Sequence, residues 1–404
     1  MIVPTPAAVS LELNHELKAA ARMWHARARE FAAEVVKPLG QVLDRMDARA
    51  AVAFGSPVYD YLAQAHREGY TRLRDSPQRG GIGLARAAEY LVLEELACAD
   101  AGLAVLAIVA PQPFRWAGAV GFGRLARDLA LPYFRGERLD WCGCHAAVDH
   151  AGLRATSAPG GWLLAGRTEL VPGAAVATHA ALACTTEAGA AGRPALAIVP
   201  LDRPGVSRGP APDQLGLRTQ AQARLVFDGV PLSHDELFVP PRAGLGLVGL
   251  ASTLDHVAKA IAAVGIGRAA YEGALRLAGE HVHEGRLLAE HGHVRRRLFR
   301  LFTLLEAARA LTRAAHLAAG DGSALGDGPL QHATAAHAFA TEVATEVVDG
   351  AIDLCSRHAD ARGVLEYLDG STFDPEKLLR DVRSCTVARP SSSASPAPLA
   401  AAYP

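Results

Sequence analysis

The sequence predicts an α+β chain in three parts. An N-terminal helical domain covers 1–138, a central β domain 139–240 and a C-terminal four-helix-type bundle 241–388, with a disordered tail over 389–404. Three observations lead there. Apolar residues recur at helical spacing on both sides of a middle stretch whose apolar runs are short and cut by Gly, Pro and Asp. The last third holds amphipathic patterns long enough for bundle helices. Residues 390–404, PSSSASPAPLAAAYP, are too simple in composition to bury a core.

Within the first part, His15 to Val36 reads as a helix ending at Lys37-Pro38, because proline stops a helix. Pro57 to Gly69 and Ala85 to Cys98 read as two more, with the loop Pro77-Gln78-Arg79-Gly80-Gly81 between them. The pattern changes near Asp140. Trp162–Ala165, Ala181–Thr185, Ala195–Pro200 and Arg224–Phe227 are strand-length apolar runs. From Leu247 helical patterns return, over Leu254–Leu277, Leu287–Gly320 and Leu330–Leu354.

The chain has 404 residues, half of them apolar, and a formal net charge of -1. That length supports two or three domains. The charge balance argues against a nucleic-acid partner and gives no reason to expect an anionic membrane surface. The longest apolar stretch, Gly102 to Pro111, is too short to span a bilayer, and the first residues do not read as a signal peptide. Six scattered cysteines fit reduced thiols, so a cytoplasmic location is expected. Abundant Ala, Arg and Gly with rare Lys fit a GC-rich bacterial gene.

Four segments carry a resemblance. They are Ser76–Leu84 with Leu91–Asp100 (SPQRGGIGL, LVLEELACAD), Asp213–Pro231 (DQLGLRTQAQARLVFDGVP), Leu254–Ala278 (LDHVAKAIAAVGIGRAAYEGALRLA) and Asp374–Asp381 (DPEKLLRD). In this order, from about Ala21 to Asp381, the chain resembles the acyl-CoA dehydrogenase superfamily. The resemblance implies helices, a β domain and a helical bundle. It also implies FAD, an acyl thioester substrate and a homodimer or homotetramer.

The implied reaction removes a proton α to the thioester while a hydride leaves the β carbon for the flavin. The α proton is weakly acidic, so a carboxylate must face it. Most relatives carry that Glu shortly after the Arg-Asp pair, which falls here near Arg389, before Pro390 and Ser391. A minority carry it just after the Leu-Asp of the first bundle helix, which falls on Val257. Neither position holds a carboxylate, and arginine is no base near neutral pH.

The flavin contacts implied by the resemblance are also replaced. Leu170-Val171-Pro172 stands for Trp-Ile-Thr, and proline offers neither hydroxyl nor N–H. His281 to Gly285 stands for Arg-x-x-Phe-Gly, and Gly292 for a glutamine. Cys355 to Arg362, CSRHADAR, stands for a glycine-rich turn and contains no glycine. These four losses predict weak or absent FAD binding.

Trp141 to Gly152, WCGCHAAVDHAG, replaces the Thr-Glu-Pro loop of relatives and brings His145, Asp149 and His150 to the expected substrate cavity. A histidine with an aspartate nearby is a general-base arrangement. The alternative is a turn cluster without a role. Asp255 is a third candidate catalytic residue, on the helix that lines the acyl cavity in relatives; the alternative is a capping or packing role. Cys142 and Cys144 read as buried thiols rather than metal ligands, lacking a second ligand pair. His281, His283, His291 and His293 read as a solvated turn. Arg295, Arg296, Arg297 and Arg300 read as a solvated or subunit-facing surface. No metal is expected.

The leading expectation is therefore an enzyme of this fold acting on an acyl thioester, on CoA or a carrier protein, in bacterial specialised metabolism, with altered chemistry and weakened or lost FAD use. The alternatives are a non-catalytic subunit pairing with an active homologue, and an ordinary FAD-dependent acyl-CoA dehydrogenase whose base has moved.

Overall fold

The computed structural model describes residues 19–119, 123–146, 152–187, 192–240, 246–320, 327–356 and 365–387. Helix α1 (Ala19–Phe31) buries Ala21, Trp24, Ala28 and Phe31, a 3-4-3 spacing that puts one stripe on the core. The helix does not stop at Pro38 as the sequence suggested. A π turn, Ala32–Val36, leads directly into α2 (Lys37–Arg45), and the Lys37 N–H reaches back to the Ala32 carbonyl. The wider turn takes up the mismatch that a ring without an N–H would cause in a regular helix. After α3 (Ala48–Val52), α4 (Pro57–Glu68) begins on proline and ends at Gly69, whose φ of 96° closes the helix.

Helix α5 (Arg86–Ala99) is buried without a break from Ala88 to Ala97, acidic residues included. Asp100 caps α6 (Ala101–Val109) by accepting from the Leu103 N–H at 2.9 Å. Helix α7 (Gln112–Ala119) follows, packed against the sheet, and after it comes the short α8 (Leu131–Phe134).

The sheet comprises β1 (Gly143–Ala146), β2 (Leu153–Ala158), β3 (Gly161–Arg167), β4 (His179–Thr186), β5 (Arg193–Pro200), β6 (Val206–Arg208), β7 (Leu225–Ser233) and β8 (Leu237–Phe238). Its order is β6-β7-β3-β2-β4-β5-β8, with β1 parallel to β4. Strand β5 shows why these runs read as continuously apolar. Ala195, Ala197 and Val199 enter the sheet core, while Leu196 and Ile198 face the helices beside Phe114, Trp116 and Ala251. A strand buried on both faces loses its alternation.

Among the described residues four helices follow the sheet: α9 (Gly246–Glu280), α10 (Gly292–Ala318), α11 (Asp327–Ser356) and α12 (Pro375–Val387). Two expectations change here. Helix α9 begins well before Leu254, so Asp255 is interior to it and is not a cap. The helix expected over Leu287–Gly320 begins at Gly292. The hairpin β9 (Val282–His283) and β10 (Arg286–Leu287) precedes it, turning on Glu284 (φ 49°) and Gly285 (φ 77°). A second small hairpin, β11 (Leu365–Glu366) with β12 (Thr372–Phe373), precedes α12.

The four segments that carry the resemblance meet in one buried joint. Asp381 accepts from the Leu217 N–H at 2.6 Å. Lys377 Nζ lies 2.6 Å from Asp381 and 2.9 Å from Asp100, and Asp100 accepts from the Thr219 hydroxyl at 2.6 Å. A Cβ on Gly216 would fall 2.2 Å from the Arg380 backbone, and one on Gly265 would fall 2.4 Å from that of Ala97. Both glycines are required by this close approach. Beside the joint, Arg268 on α9 binds Glu94 and Glu95 of α5 at 3.1 and 2.9 Å, and Arg309 reaches Glu94 at 2.7 Å.

Candidate active site

The site lies where the sheet, α7 and the first turns of α9 converge. His145, on β1, is 5% exposed. Its Nε2 lies 3.2 Å from the carbonyl of Ala251. A carbonyl only accepts, so Nε2 carries the proton and Nδ1 is the basic nitrogen. The register Gly143↔His179 to Ala146↔Leu182 fixes the strand that presents the ring.

Asp255 sits one helical turn beyond Ala251 and pairs with Lys259 Nζ at 2.7 Å. Burial opposes its ionisation, but the Lys259 ammonium, with His256 and His145 near it, holds the carboxyl well below the usual carboxylate range. His256 Nδ1 donates to the Thr334 hydroxyl oxygen at 2.9 Å, since that hydroxyl gives its own proton to the Leu330 carbonyl. The structure thus brings His145 and Asp255 together electrostatically. Asp149 and His150 lie outside the described residues.

Ala251, Leu254, Val257 and Ile261 are three or four residues apart and share one face of α9. At its start this stripe packs on Phe114, Trp116, Ala181, Leu196 and Ile198. Farther along, Leu254, Val257 and Ile261 border a chamber of about 30 Å³. The opposite walls include Arg74, Arg86, Glu89, Gln112, Arg115 and His316. Arg115 binds Asp75 through Nε and Nη2 at 3.0 and 2.9 Å, and His316 Nε2 lies 3.2 Å from Glu89. Burial raises the Glu89 carboxyl, but His316 and Arg74 outweigh it and keep it ionised. Sequence reading missed Arg74, Glu89 and Arg115 as site residues. Arg74 lies three residues before the Pro77–Gly81 loop, and Glu89 lies in the first turn of α5. Only tertiary packing joins them.

The remaining candidates fall elsewhere. Cys142 is buried, donates to the Val176 carbonyl at 3.1 Å, and is pushed up to about 12 by burial; Cys144 is also buried. Among the described residues no three His, Cys, Asp or Glu side chains are grouped to hold a metal. His283 and His291 belong to an exposed turn, with His291 Nε2 3.1 Å from the His283 carbonyl. Arg297 and Arg300 pair on the surface with Asp353 and Glu346, and Arg295 and Arg296 are exposed.

Two family models match: "Acyl-CoA dehydrogenase, N-terminal domain" over residues 18–116 and "Acyl-CoA dehydrogenase, C-terminal domain" over 244–389. This chain belongs to the acyl-CoA dehydrogenase superfamily. Benzylmalonyl-CoA dehydrogenase of Aromatoleum aromaticum is 27% identical over 87% of this chain and 89% of its own length. 3-Sulfinopropanoyl-CoA desulfinase of Paraburkholderia xenovorans is 28% identical over 92% of each. Among solved structures, butyryl-CoA dehydrogenase of Megasphaera elsdenii superposes with a TM-score of 0.77 at 19% identity, over 94% of this chain and 96% of that one, a likeness of fold.

Against the flavin contacts that acyl-CoA dehydrogenases use, the residues present fit poorly. Val171 is buried and bridges to Ala223, leaving Leu170 and Pro172 at the edge with no side-chain hydrogen-bonding group. Positions 281–285 form the hairpin turn, mostly exposed. Gly292 opens α10 and brings no side chain. Most of Cys355 to Arg362, and Arg389, lie outside the described residues. Among the described residues no helix is long and apolar enough to cross a membrane.

Proposed function

We propose that this protein acts on an acyl thioester, carried by CoA or a carrier protein, in bacterial specialised metabolism, by proton transfer rather than by α,β-dehydrogenation. The observation that carries this reading is His145 held against Ala251, on the helical face that leads to Val257. Where a minority of relatives place the catalytic carboxylate, Val257 has none, and its neighbour Asp255 is bound to Lys259. A carboxylate held so far below its usual range is a weak base, so Asp255 serves as an electrostatic partner for the imidazole. His145 Nδ1 takes the proton α to the thioester, the electron pair moves to the thioester oxygen, and the imidazolium returns the proton. No hydride leaves in this sequence, so none of its steps calls on FAD.

Loss or loose holding of FAD goes with this reading, supported by Pro172 and the exposed 281–285 turn. The relative whose printed name is desulfinase supports the idea that this fold hosts chemistry other than dehydrogenation. We also propose an oligomer built through α10, where Phe299 stands 70% exposed on an otherwise charged face.

Two readouts on the purified protein test the proposal. One is the FAD released on denaturation; the other is a thermal shift with acyl-CoA. Little flavin with acyl-CoA stabilisation supports it. Stoichiometric FAD, or no response to any acyl thioester, opposes it.

A further inference from the structure

The chamber beyond Val257 holds more acceptors than the protein itself satisfies. Gln112 is 3% exposed, and its Nε2 donates to the Ile108 carbonyl at 3.0 Å. A carbonyl only accepts, so this bond fixes the amide orientation and leaves Oε1 as the acceptor. Oε1 is buried and has no hydrogen-bond partner among the described residues. Glu89, also on the lining, approaches His316 Nε2 to 3.2 Å as an ion pair, yet its Oε2 makes no hydrogen bond either. Buried acceptors left unpaired are costly, and two on one lining call for a donor. The surrounding charges select its kind. The ionised Glu89 repels an anion, while Arg74, Arg86 and Arg115 repel a cation. A neutral donor escapes both penalties. The chamber measures about 30 Å³, room for about two groups the size of water.

We infer that the chamber receives a hydroxyl group borne by the acyl chain of the thioester, and that this hydroxyl donates to Gln112 Oε1. The inference rests on the acyl-thioester reading and adds to it the class of acyl group. The methylenes of the chain lie along Leu254, Val257 and Ile261, the apolar side of the chamber, and the hydroxyl fills its polar end. The remaining space takes one water, which bridges the hydroxyl to Glu89 Oε2. Gln112 acts as a specificity residue. A site built to bond a hydroxyl discriminates against the same chain without one, because that chain leaves the acceptors buried and unpaired.

Equal-length pairs of thioesters test this by calorimetric titration: β-hydroxybutyryl- with butyryl-CoA, ω-hydroxyhexanoyl- with hexanoyl-CoA and ω-hydroxyoctanoyl- with octanoyl-CoA. In at least one pair the hydroxylated chain should bind about tenfold or more tighter. The oxoacyl-CoA with its carbonyl at the same carbon accepts but cannot donate, and should lack that gain. Gln112→Met keeps the bulk of the side chain without its acceptor and should abolish the preference. It should also leave the melting temperature of the ligand-free protein close to that of the unmodified protein. Equal affinity within every pair overturns the inference, and is the result for a chamber that holds only water. An oxoacyl chain that binds as tightly as the hydroxyacyl chain, or a preference that survives Gln112→Met, overturns it too. So does a large loss of stability in Gln112→Met, because the amide would then be a structural tie. Equal binding of both members leaves the acyl-thioester reading standing, whereas binding of neither removes both.

Discussion

The His145 imidazole donates Nε2–H to the Ala251 carbonyl across 3.2 Å and so pins strand β1 to the head of α9. Ala251 lies in the interior of the helix, so its carbonyl already serves the helical ladder and the imidazole shares it. The contact fixes the tautomer and the ring orientation together. If Nδ1 is the base, His145→Ala should lower turnover about a hundredfold. His145→Gln, which keeps a donor for Ala251, should restore the fold but not the rate. Steady-state rates with circular dichroism on both variants check this. Equal losses of folding and rate in the two would make His145 a structural tie.

The Asp255–Lys259 pair sets the charge beside that imidazole. Removing the ammonium by Lys259→Met should let the Asp255 carboxyl rise toward its usual range, and the acid limb of the pH–rate profile should move to higher pH. Asp255→Asn should lower the rate by about tenfold and abolish that movement in the double variant. An unchanged profile in Lys259→Met would separate Asp255 from the chemistry.

Stability should fall in acid because of His66 as well as the carboxylates. His66 is 1% exposed, accepts from the Thr71 hydroxyl through Nδ1 and donates through Nε2 to the Tyr133 carbonyl. Burial and the nearby Arg72 lower it to about 4. Between that value and the unfolded value of about 6.5 the unfolded chain binds the extra proton, so stability is present above about pH 6.5 and declines as pH falls toward 4. The decline approaches roughly 1.4 kcal/mol per pH unit for one site. Denaturant unfolding between pH 7 and 4 should show it, and His66→Gln should reduce the slope by about one proton. His179, also lowered to about 4 by burial, contributes in the same window and will remain in that variant.

Glu94 should be among the costliest single removals. It is 1% exposed and shared by Arg268 and Arg309, so Glu94→Ala leaves two buried guanidiniums without one partner each. About 3–5 kcal/mol of unfolding free energy should be lost. Glu94→Ala with Arg309→Met should recover part of that loss, and chemical denaturation of the single and double variants measures the coupling. A loss under about 1 kcal/mol would show that Glu95 and Glu272 suffice for Arg268.

These residues also explain how far the sequence could be read. The three-part architecture was legible because apolar spacing and burial agree in α1 and α4, and because β5 is a short apolar run buried on both faces. The family was legible because its four segments carry Asp100, Gly216, Thr219, Gly265, Lys377 and Asp381, residues of one buried joint whose geometry tolerates little change. The π turn before Pro38 was not legible, because a proline reads as a stop unless the turn before it widens. The start of α10 was not legible either, since Leu287 to Ala289 are apolar but belong to a hairpin and a short turn. Of the candidate site, His145 is legible as part of a replaced loop and Asp255 as part of the retained Leu254-Asp255 pair, whereas Arg74, Glu89 and Arg115 come from separate segments and meet only after packing. Their charges look like surface residues until the fold encloses them.

The most direct measurement is mass spectrometry of acyl-CoA after incubation with the purified protein in D₂O. Proton transfer at the α carbon adds deuterium and raises the acyl mass, whereas α,β-dehydrogenation lowers it by about two mass units through loss of a proton and a hydride. The expected result is deuterium gain without enoyl product, in the unmodified protein and not in His145→Ala. Formation of enoyl-CoA, or exchange no faster than in His145→Ala, would contradict the assignment of proton-transfer chemistry to this site.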